Sequence, residues 1–220
     1  MPAWTEEALR YLGVREADDD IRRKTEEMAD MLLRRVTPRY VFRVCRLERD
    51  GKTLLLPEAG FALEGKLALQ MLGECDQAAL LACTLGAAFD ALFRSVQHRS
   101  MADAVILDAC GSAYVEAACD GAEKEISARY PEKYRTDRFS PGYGDLPLTL
   151  QPPLLRALDA ERRLGLYFTS SCLMNPQKSV TAFIGLASAP QAAKIKGCAR
   201  CALQKDCAYK KRGIRCGLEE

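Results

Sequence analysis

Apolar residues recur along the first hundred residues with two different spacings. Spacings of three and four positions behind acidic first turns predict helices, whereas a spacing of two among β-branched and aromatic residues predicts strands. Asp50-Gly51 stands between two such strands and is typical of a hairpin turn. The predicted elements are, in order, helices over 5–13 and 18–37, strands over 40–47 and 53–56, a helix over 65–72, a buried strand over 78–84, and a helix from residue 86.

The second half of the chain has a long helical period followed by a loop. Apolar and small residues keep a helical spacing from Met101 to Ala128, and the small ones indicate that another element packs closely against this helix. Residues 130–147 are rich in Pro, Gly and Tyr and predict a loop. A helix over 152–163 and strands over 166–170 and 179–186 follow. Because helices and strands do not alternate strictly, we predict an α+β domain over residues 1–190 with a mixed or antiparallel sheet.

The composition excludes several classes of protein. The chain has 220 residues, 48% of them hydrophobic, with 32 Lys and Arg against 30 Asp and Glu. That balance is typical of a globular domain and unlike that of a nucleic-acid-binding protein. No run is long enough for a membrane span and the first residues do not resemble a signal peptide, so we expect a cytoplasmic protein. The single histidine, His98, argues against a hydrolase triad and against His-rich metal sites.

The last thirty residues, 191–220, form a different region with four closely spaced cysteines. This tail holds eight Lys or Arg against three acidic residues and few large apolar side chains. Such a segment cannot fold on hydrophobic burial alone, so bound metal is the expected source of its stability. The predicted metal ligands are Cys198, Cys201, Cys207 and Cys216.

Four thiolates suit an iron–sulfur cluster or a structural zinc. Only the first pair has the C-x2-C spacing that zinc sites commonly use twice, which favours a cluster, most simply [4Fe–4S], with zinc and free thiols as the alternatives. The other cysteines lie in apolar patterns and are interpreted as small buried hydrophobic residues. They are Cys45, Cys75, Cys83, Cys110, Cys119 and Cys172.

The predicted loop contains a second candidate site, the segment from Arg138 to Pro147. Its Pro-Gly-Tyr-Gly sequence lets the backbone approach a ligand, Arg138 offers a guanidinium to a carboxylate or phosphate, and Tyr143 offers an aromatic face. The alternative is a rigid turn in which Arg138 is buried against an acidic residue. The candidates for that residue are Asp137, Asp145 and Glu116.

These segments resemble the activation (reactivation) domain of vitamin B12-dependent methionine synthase. The chain matches an Arg-x-x-Pro-Gly-Tyr motif and a later Met-x-Pro-x-x-Ser-Val motif of that family. The matching residues are Arg138, Pro141, Gly142 and Tyr143, and then Met174, Pro176, Ser179 and Val180. The likeness is best over residues 100–187, and it is nearest to stand-alone relatives of that domain.

The resemblance implies a curved sheet flanked by helices that binds S-adenosylmethionine in a shallow groove and caps a cobalamin domain. The ligand-binding residues it implies are Arg138, Ser140, Pro141, Gly142 and Tyr143. Two features depart from the family. Ile184-Gly185 occupies the position of an aromatic pair that touches the ligand, and the acidic, aromatic-rich N-terminal motif has no counterpart.

The leading functional hypothesis is an accessory protein for the reductive reactivation of a cobalamin-dependent methyltransferase such as methionine synthase. In this hypothesis the partner holds the cobalamin, a redox protein supplies electrons, and an iron–sulfur tail passes one electron to the cobalt. One alternative is a non-catalytic corrinoid-protein binding module with a zinc tail. The other is remethylation that depends on S-adenosylmethionine, as in the parent family.

Overall fold

A computed structural model describes residues 2–14, 18–191 and 195 of the chain. The described helices are α1 (Thr5–Tyr11), α2 (Asp19–Arg35), α3 (Lys66–Leu72), α4 (Gly86–Gln97), α5 (Met101–Arg129), α6 (Gln151–Ala157) and α7 (Ala160–Leu164). The described strands are β1 (Arg39–Arg46), β2 (Glu48–Asp50), β3 (Thr53–Leu56), β4 (Phe61–Leu63), β5 (Gln77–Thr84), β6 (Tyr134–Arg135), β7 (Tyr167–Phe168), β8 (Met174–Asn175) and β9 (Ser179–Ala187).

The central sheet has the strand order β1-β5-β9-β6, and every neighbouring pair is antiparallel. Two smaller antiparallel sheets, β2-β3-β4 and β7-β8, lie outside it. The predicted α+β class is therefore confirmed, and the sheets are antiparallel rather than mixed. The division into a domain over 1–190 and a tail over 191–220 stays a prediction.

Strand β5 is apolar on both faces because the central sheet is covered on both faces. Leu81 and Cys83 pack into one core with residues of α2, α4 and α5, whereas Leu80 and Ala82 pack into a second core with residues of α3, α6 and β3. Successive side chains of a strand point to opposite faces. A strand that is covered by helices on both faces therefore needs apolar residues at successive positions.

Helix α5 spans 29 residues and is capped by Ser100, whose hydroxyl accepts a hydrogen bond from the Asp103 amide at 3.1 Å. Its small residues allow the close packing that the sequence indicates. At Gly111, a Cβ would lie only 2.6 Å from Phe89 Cζ on α4. No helix in the described ranges is long and apolar enough to cross a membrane.

Three predicted elements differ from those observed. The strand that forms the hairpin with β3 is the short β2, because β1 instead pairs along its whole length with β5. The predicted helix over 152–163 is two helices, since Asp159 takes a left-handed conformation with φ 51°. The strand expected over 166–170 is reduced to β7.

Candidate functional site

An open groove with a volume of about 230 Å³ lies between the Pro-Gly-Tyr loop and the β7–β8 hairpin. The start of β9 contributes its floor, and Glu116 of α5 reaches one side. A cavity of this size is smaller than the roughly 300–1,000 Å³ of a pocket that encloses a drug-sized ligand. A ligand in this groove would therefore keep one face open to solvent or to a partner.

The loop is held in a compact double turn. Phe139 is fully buried and exchanges backbone hydrogen bonds with Phe183 of β9, at 3.1 and 2.8 Å. The Gly142 amide donates to the Leu146 carbonyl at 2.8 Å, and Gly142 has φ 92°, a conformation that favours glycine. With the loop held in this way, Tyr143 is 53% exposed at the groove.

The hydroxyl groups on the groove floor are hydrogen-bonded within the protein. Thr181 donates to Gln151 Oε1 at 3.0 Å, and this pair is buried. Ser179 Oγ lies 2.7 Å from both Thr84 Oγ1 and the Pro176 carbonyl. The floor is thus rigid, and the groups left for polar recognition lie at the groove's sides.

The rim of the groove is apolar. Tyr143, Leu148 and Leu173 are large hydrophobic side chains that line the groove and are exposed to solvent. Single exposed hydrophobic residues are ordinary on protein surfaces, but several at the mouth of one groove are typical of a ligand or partner site.

Arg138 lies at the centre of a cluster of carboxylates on α5. Its side chain is 10% exposed, and its guanidinium donates to Glu116 Oε2 at 2.5 Å, to Asp120 Oδ1 at 2.6 Å and also to Glu123. Burial alone would lower the pKa of Arg138, but hydrogen bonding to Asp120 and the charge of Glu116 outweigh it and raise the pKa above its ordinary value. The guanidinium therefore stays charged and is already paired with carboxylates of the same chain.

The expectation that Arg138 offers a free guanidinium to a ligand is accordingly wrong. The geometry is that of the alternative, a buried arginine held by acidic residues, and Glu116 is one of them. Asp145 instead accepts hydrogen bonds from the backbone amides of Lys66 and Leu67. The other loop residues remain candidates, since Ser140, Pro141 and Tyr143 line the groove.

Three carboxylates in this cluster face two guanidinium groups. The second guanidinium belongs to Arg135, which pairs with Glu123. Glu116 is 39% exposed and is the carboxylate that lines the groove. The groove therefore has one carboxylate, that of Glu116, which suits a cation, and an apolar rim that suits a flat ring.

Glu116 and Gln151 line the groove without having been predicted as ligand-binding residues, and Cys172 was expected to be buried. Cys172 lines the groove, is half-buried, and has φ 60°. A signal for Glu116 exists in the sequence: Asp108, Ser112, Glu116 and Asp120 follow one another at intervals of four and so share one face of α5.

The remaining candidate residues are cysteines. The proposed metal ligands lie outside the described residues; they are Cys198, Cys201, Cys207 and Cys216. Among the described residues no cluster of His, Cys, Asp or Glu forms a metal site. Burial raises the pKa of Cys75 to about 11 and that of Cys110 to about 12, so these thiols stay protonated at neutral pH, as expected of hydrophobic residues.

Ile184 and Gly185, which replace an aromatic pair of the family, are part of the core. Ile184 is fully buried on β9, and a Cβ at Gly185 would lie 2.9 Å from Leu72 Cδ2 and Thr136 Cγ2. A larger residue at position 185 has no room, so this stretch of β9 serves packing rather than ligand contact.

Both the fold and the sequence of this chain are similar to those of known proteins. None of the curated proteins compared with the chain matches it. Among solved structures, the chain is similar to the MetH reactivation domain in a crystal structure bound to AdoHcy, with a TM-score of 0.65 and 17% identity over 93% of this chain and 76% of that one. That likeness shows the fold. The sequence model of the activation domain of vitamin B12-dependent methionine synthase matches residues 15–212, so the chain belongs to that family.

Proposed function

We propose that the chain serves the reductive reactivation of a cobalamin-dependent methyltransferase such as methionine synthase. The core holds S-adenosylmethionine in the groove and covers the partner's cobalamin, and a metal cluster in the cysteine tail delivers an electron. When bound, S-adenosylmethionine would supply a methyl group to the partner's cobalt, reduced by that electron from Co(II) to Co(I), and would leave as S-adenosylhomocysteine. The observation that carries this proposal is the open groove formed by the Pro-Gly-Tyr loop of a chain in the activation-domain family.

The chemistry of the groove supports an S-adenosyl ligand. The ligand has a flat purine, for which Tyr143, Leu148 and Leu173 offer apolar faces, and two cationic groups, for which Glu116 offers a carboxylate. The MetH reactivation domain, a structural relative, has been crystallised with AdoHcy. An open groove also leaves the methyl group accessible to a second protein, which methyl transfer to a partner's cobalt requires.

A calorimetric titration with S-adenosylhomocysteine tests the groove. Tyr143→Ala should weaken binding about fivefold, because losing an aromatic contact costs on the order of 1 kcal/mol. Tyr134→Ala is the matched control, since Tyr134 is similarly exposed, at 50%, but lies on β6 and does not line the groove. Wild-type protein that binds neither S-adenosylhomocysteine nor S-adenosylmethionine would overturn this part of the proposal.

The start of the tail lies close to the loop, which supports a joint role. The backbone amide of Ile195 donates to Asp137 Oδ2 at 2.9 Å, and the Ile195 side chain packs on the second core. Cys198 follows Ile195 by three positions, so their Cα atoms are at most about 11 Å apart. Residue 195 of the tail therefore lies beside Asp137, the neighbour of Arg138, where the groove loop begins.

Metal analysis of protein purified without oxygen tests the electron-transfer part. Iron with sulfide and a broad visible absorption band support the proposal, and replacing Cys198 or Cys207 with Ser should remove both. Cys172→Ser is the control, because Cys172 is a half-buried cysteine between β7 and β8, outside the tail, and its replacement should leave metal content unchanged. Stoichiometric zinc would overturn electron transfer and favour the binding-module alternative.

A further inference from the structure

Asp145 joins the groove loop to the first turn of α3. Its carboxylate accepts hydrogen bonds from the Lys66 amide at 2.6 Å and the Leu67 amide at 3.0 Å. These two donors lower the pKa of Asp145, the Leu67 amide most strongly, so the carboxylate stays ionised at neutral pH. We call this connection, from Asp145 to the amides of Lys66 and Leu67, the α3 clamp.

The α3 clamp lies in the part of the loop between two residues that are buried in the second core. At one end of the loop Phe139 is buried and bonded to β9, and at the other Leu146 is buried in the second core. Between them the described hydrogen bonds of Gly142, Tyr143 and Leu146 stay within the loop. Among the described hydrogen bonds, the link from this middle segment to another element runs through Asp145, directly after the residues that line the groove.

Glycines on both sides make room for the clamp. Gly65 precedes α3 with φ 111°, and a Cβ there would lie 3.1 Å from the Asp145 carboxylate. Gly144 has φ 57°, and a Cβ there would lie 3.3 Å from Leu67 Cδ2. Side chains at either position would press against the groups that meet in the clamp.

We infer that Asp145 is a positioning residue, whose α3 clamp holds Ser140–Tyr143 in the conformation that forms the groove wall. Asp145 does not line the groove itself. The inference rests on the proposed function only where it concerns ligand affinity. The loop conformation is a property of the protein without ligand and can be measured separately.

Hydrogen exchange of the Gly142, Tyr143 and Leu146 amides measures the clamp in unliganded protein. Asp145→Ala should speed their exchange roughly fivefold, the usual effect of losing a capping carboxylate. Asp145→Asn keeps one acceptor and should fall between wild type and Asp145→Ala. Asp18→Ala is the matched control, because Asp18 caps α2 through the Ile21 amide at 2.8 Å and should leave loop exchange unchanged.

A second route to the same effect is Gly65→Ala, which displaces the Asp145 carboxylate. Its control is Gly60→Ala, since Gly60 also has a positive φ, 74°, but no atom within 4 Å of a Cβ. Gly65→Ala should speed loop exchange and Gly60→Ala should not. The double variant of Asp145→Ala and Gly65→Ala should be less than additive, because both changes break one connection.

Calorimetry with S-adenosylhomocysteine then tests the consequence for binding. Asp145→Ala should weaken the affinity roughly twofold to fivefold, since a smaller fraction of molecules has the groove formed. Unchanged loop exchange in Asp145→Ala would refute the clamp, and faster exchange with unchanged affinity would refute its role in binding. Absence of binding by wild-type protein would instead refute the proposed ligand, while the exchange rates still decide whether the clamp exists.

Discussion

Replacing Arg138 with Ala should destabilise the protein, because the guanidinium neutralises a cluster of carboxylates. Glu123, at 7% exposed, is the most buried of its partners. Glu116 and Asp120 are 39% and 36% exposed, so solvent screens their interaction with Arg138. The loss of stability is therefore dominated by the charge left on Glu123.

The magnitude follows from the partner that Glu123 retains. Breaking a buried ion pair by removing one member costs about 3–5 kcal/mol when the other is left alone. Glu123 still pairs with Arg135, so we expect a smaller loss, about 2–3 kcal/mol. In a protein of this size that corresponds to a fall in melting temperature of roughly 5–10 °C.

The assay is thermal and urea unfolding of Arg138→Ala beside two further variants. Arg138→Lys keeps the charge but carries it on one compact ammonium instead of the planar guanidinium fork, so it should recover about half of the lost stability. Arg162→Ala is the control, because Arg162 is 78% exposed and pairs with Asp159 at the surface, a bond worth at most about 1 kcal/mol. A melting temperature of Arg138→Ala within about 1 °C of wild type, together with weakened ligand binding, would refute this reasoning and indicate that Arg138 binds the ligand.

Other predictions concern packing in the core and the loss of stability at low pH. Gly111→Ala should destabilise the protein by about 1–3 kcal/mol, because its Cβ would meet the Phe89 ring. Gly121→Ala on the same helix has open space around the new Cβ and should stabilise the protein by about 0.5–1 kcal/mol. Urea unfolding of the two variants measures both changes. The pKa of Asp76 is lowered, chiefly by the Lys133 hydrogen bond, so this carboxylate contributes stability above its ordinary pKa of 3.8 that is lost as the pH falls below that value. Asp76→Asn should make the melting temperature less dependent on pH in that range, and an unchanged acid slope would contradict the assignment.

Many elements of the fold could be predicted because their signals are local. The run that forms β5 is apolar throughout, and α5 keeps a helical spacing behind a capping serine. Strand pairing was less predictable. The Asp50-Gly51 turn occurs as expected, but β1 pairs with β5, some forty residues away in the chain, because only that pairing buries Val41 and Cys45 beside the apolar core.

The sequence predicted which segment forms the candidate site, but it did not predict which charged side chains of that segment are free to bind a ligand. The Pro-Gly-Tyr motif identified a loop that does line the groove. Its spacing could not reveal that Arg138 turns away toward Glu116, Asp120 and Glu123, because those carboxylates are 15 to 22 residues distant and become neighbours only when α5 packs along the sheet.

The sequence by itself determined the class of fold, the main helices and strands, and the family, since these depend on periodicity, capping and short motifs. It also identified the cysteine tail, whose metal stays a prediction. Only the tertiary structure decided which charges meet. The energy of an ion pair depends on distance and burial, and both are properties of packed elements rather than of neighbours in the chain. For that reason Arg138 is paired with the carboxylates of α5, and Glu116 is the acidic residue that lines the groove.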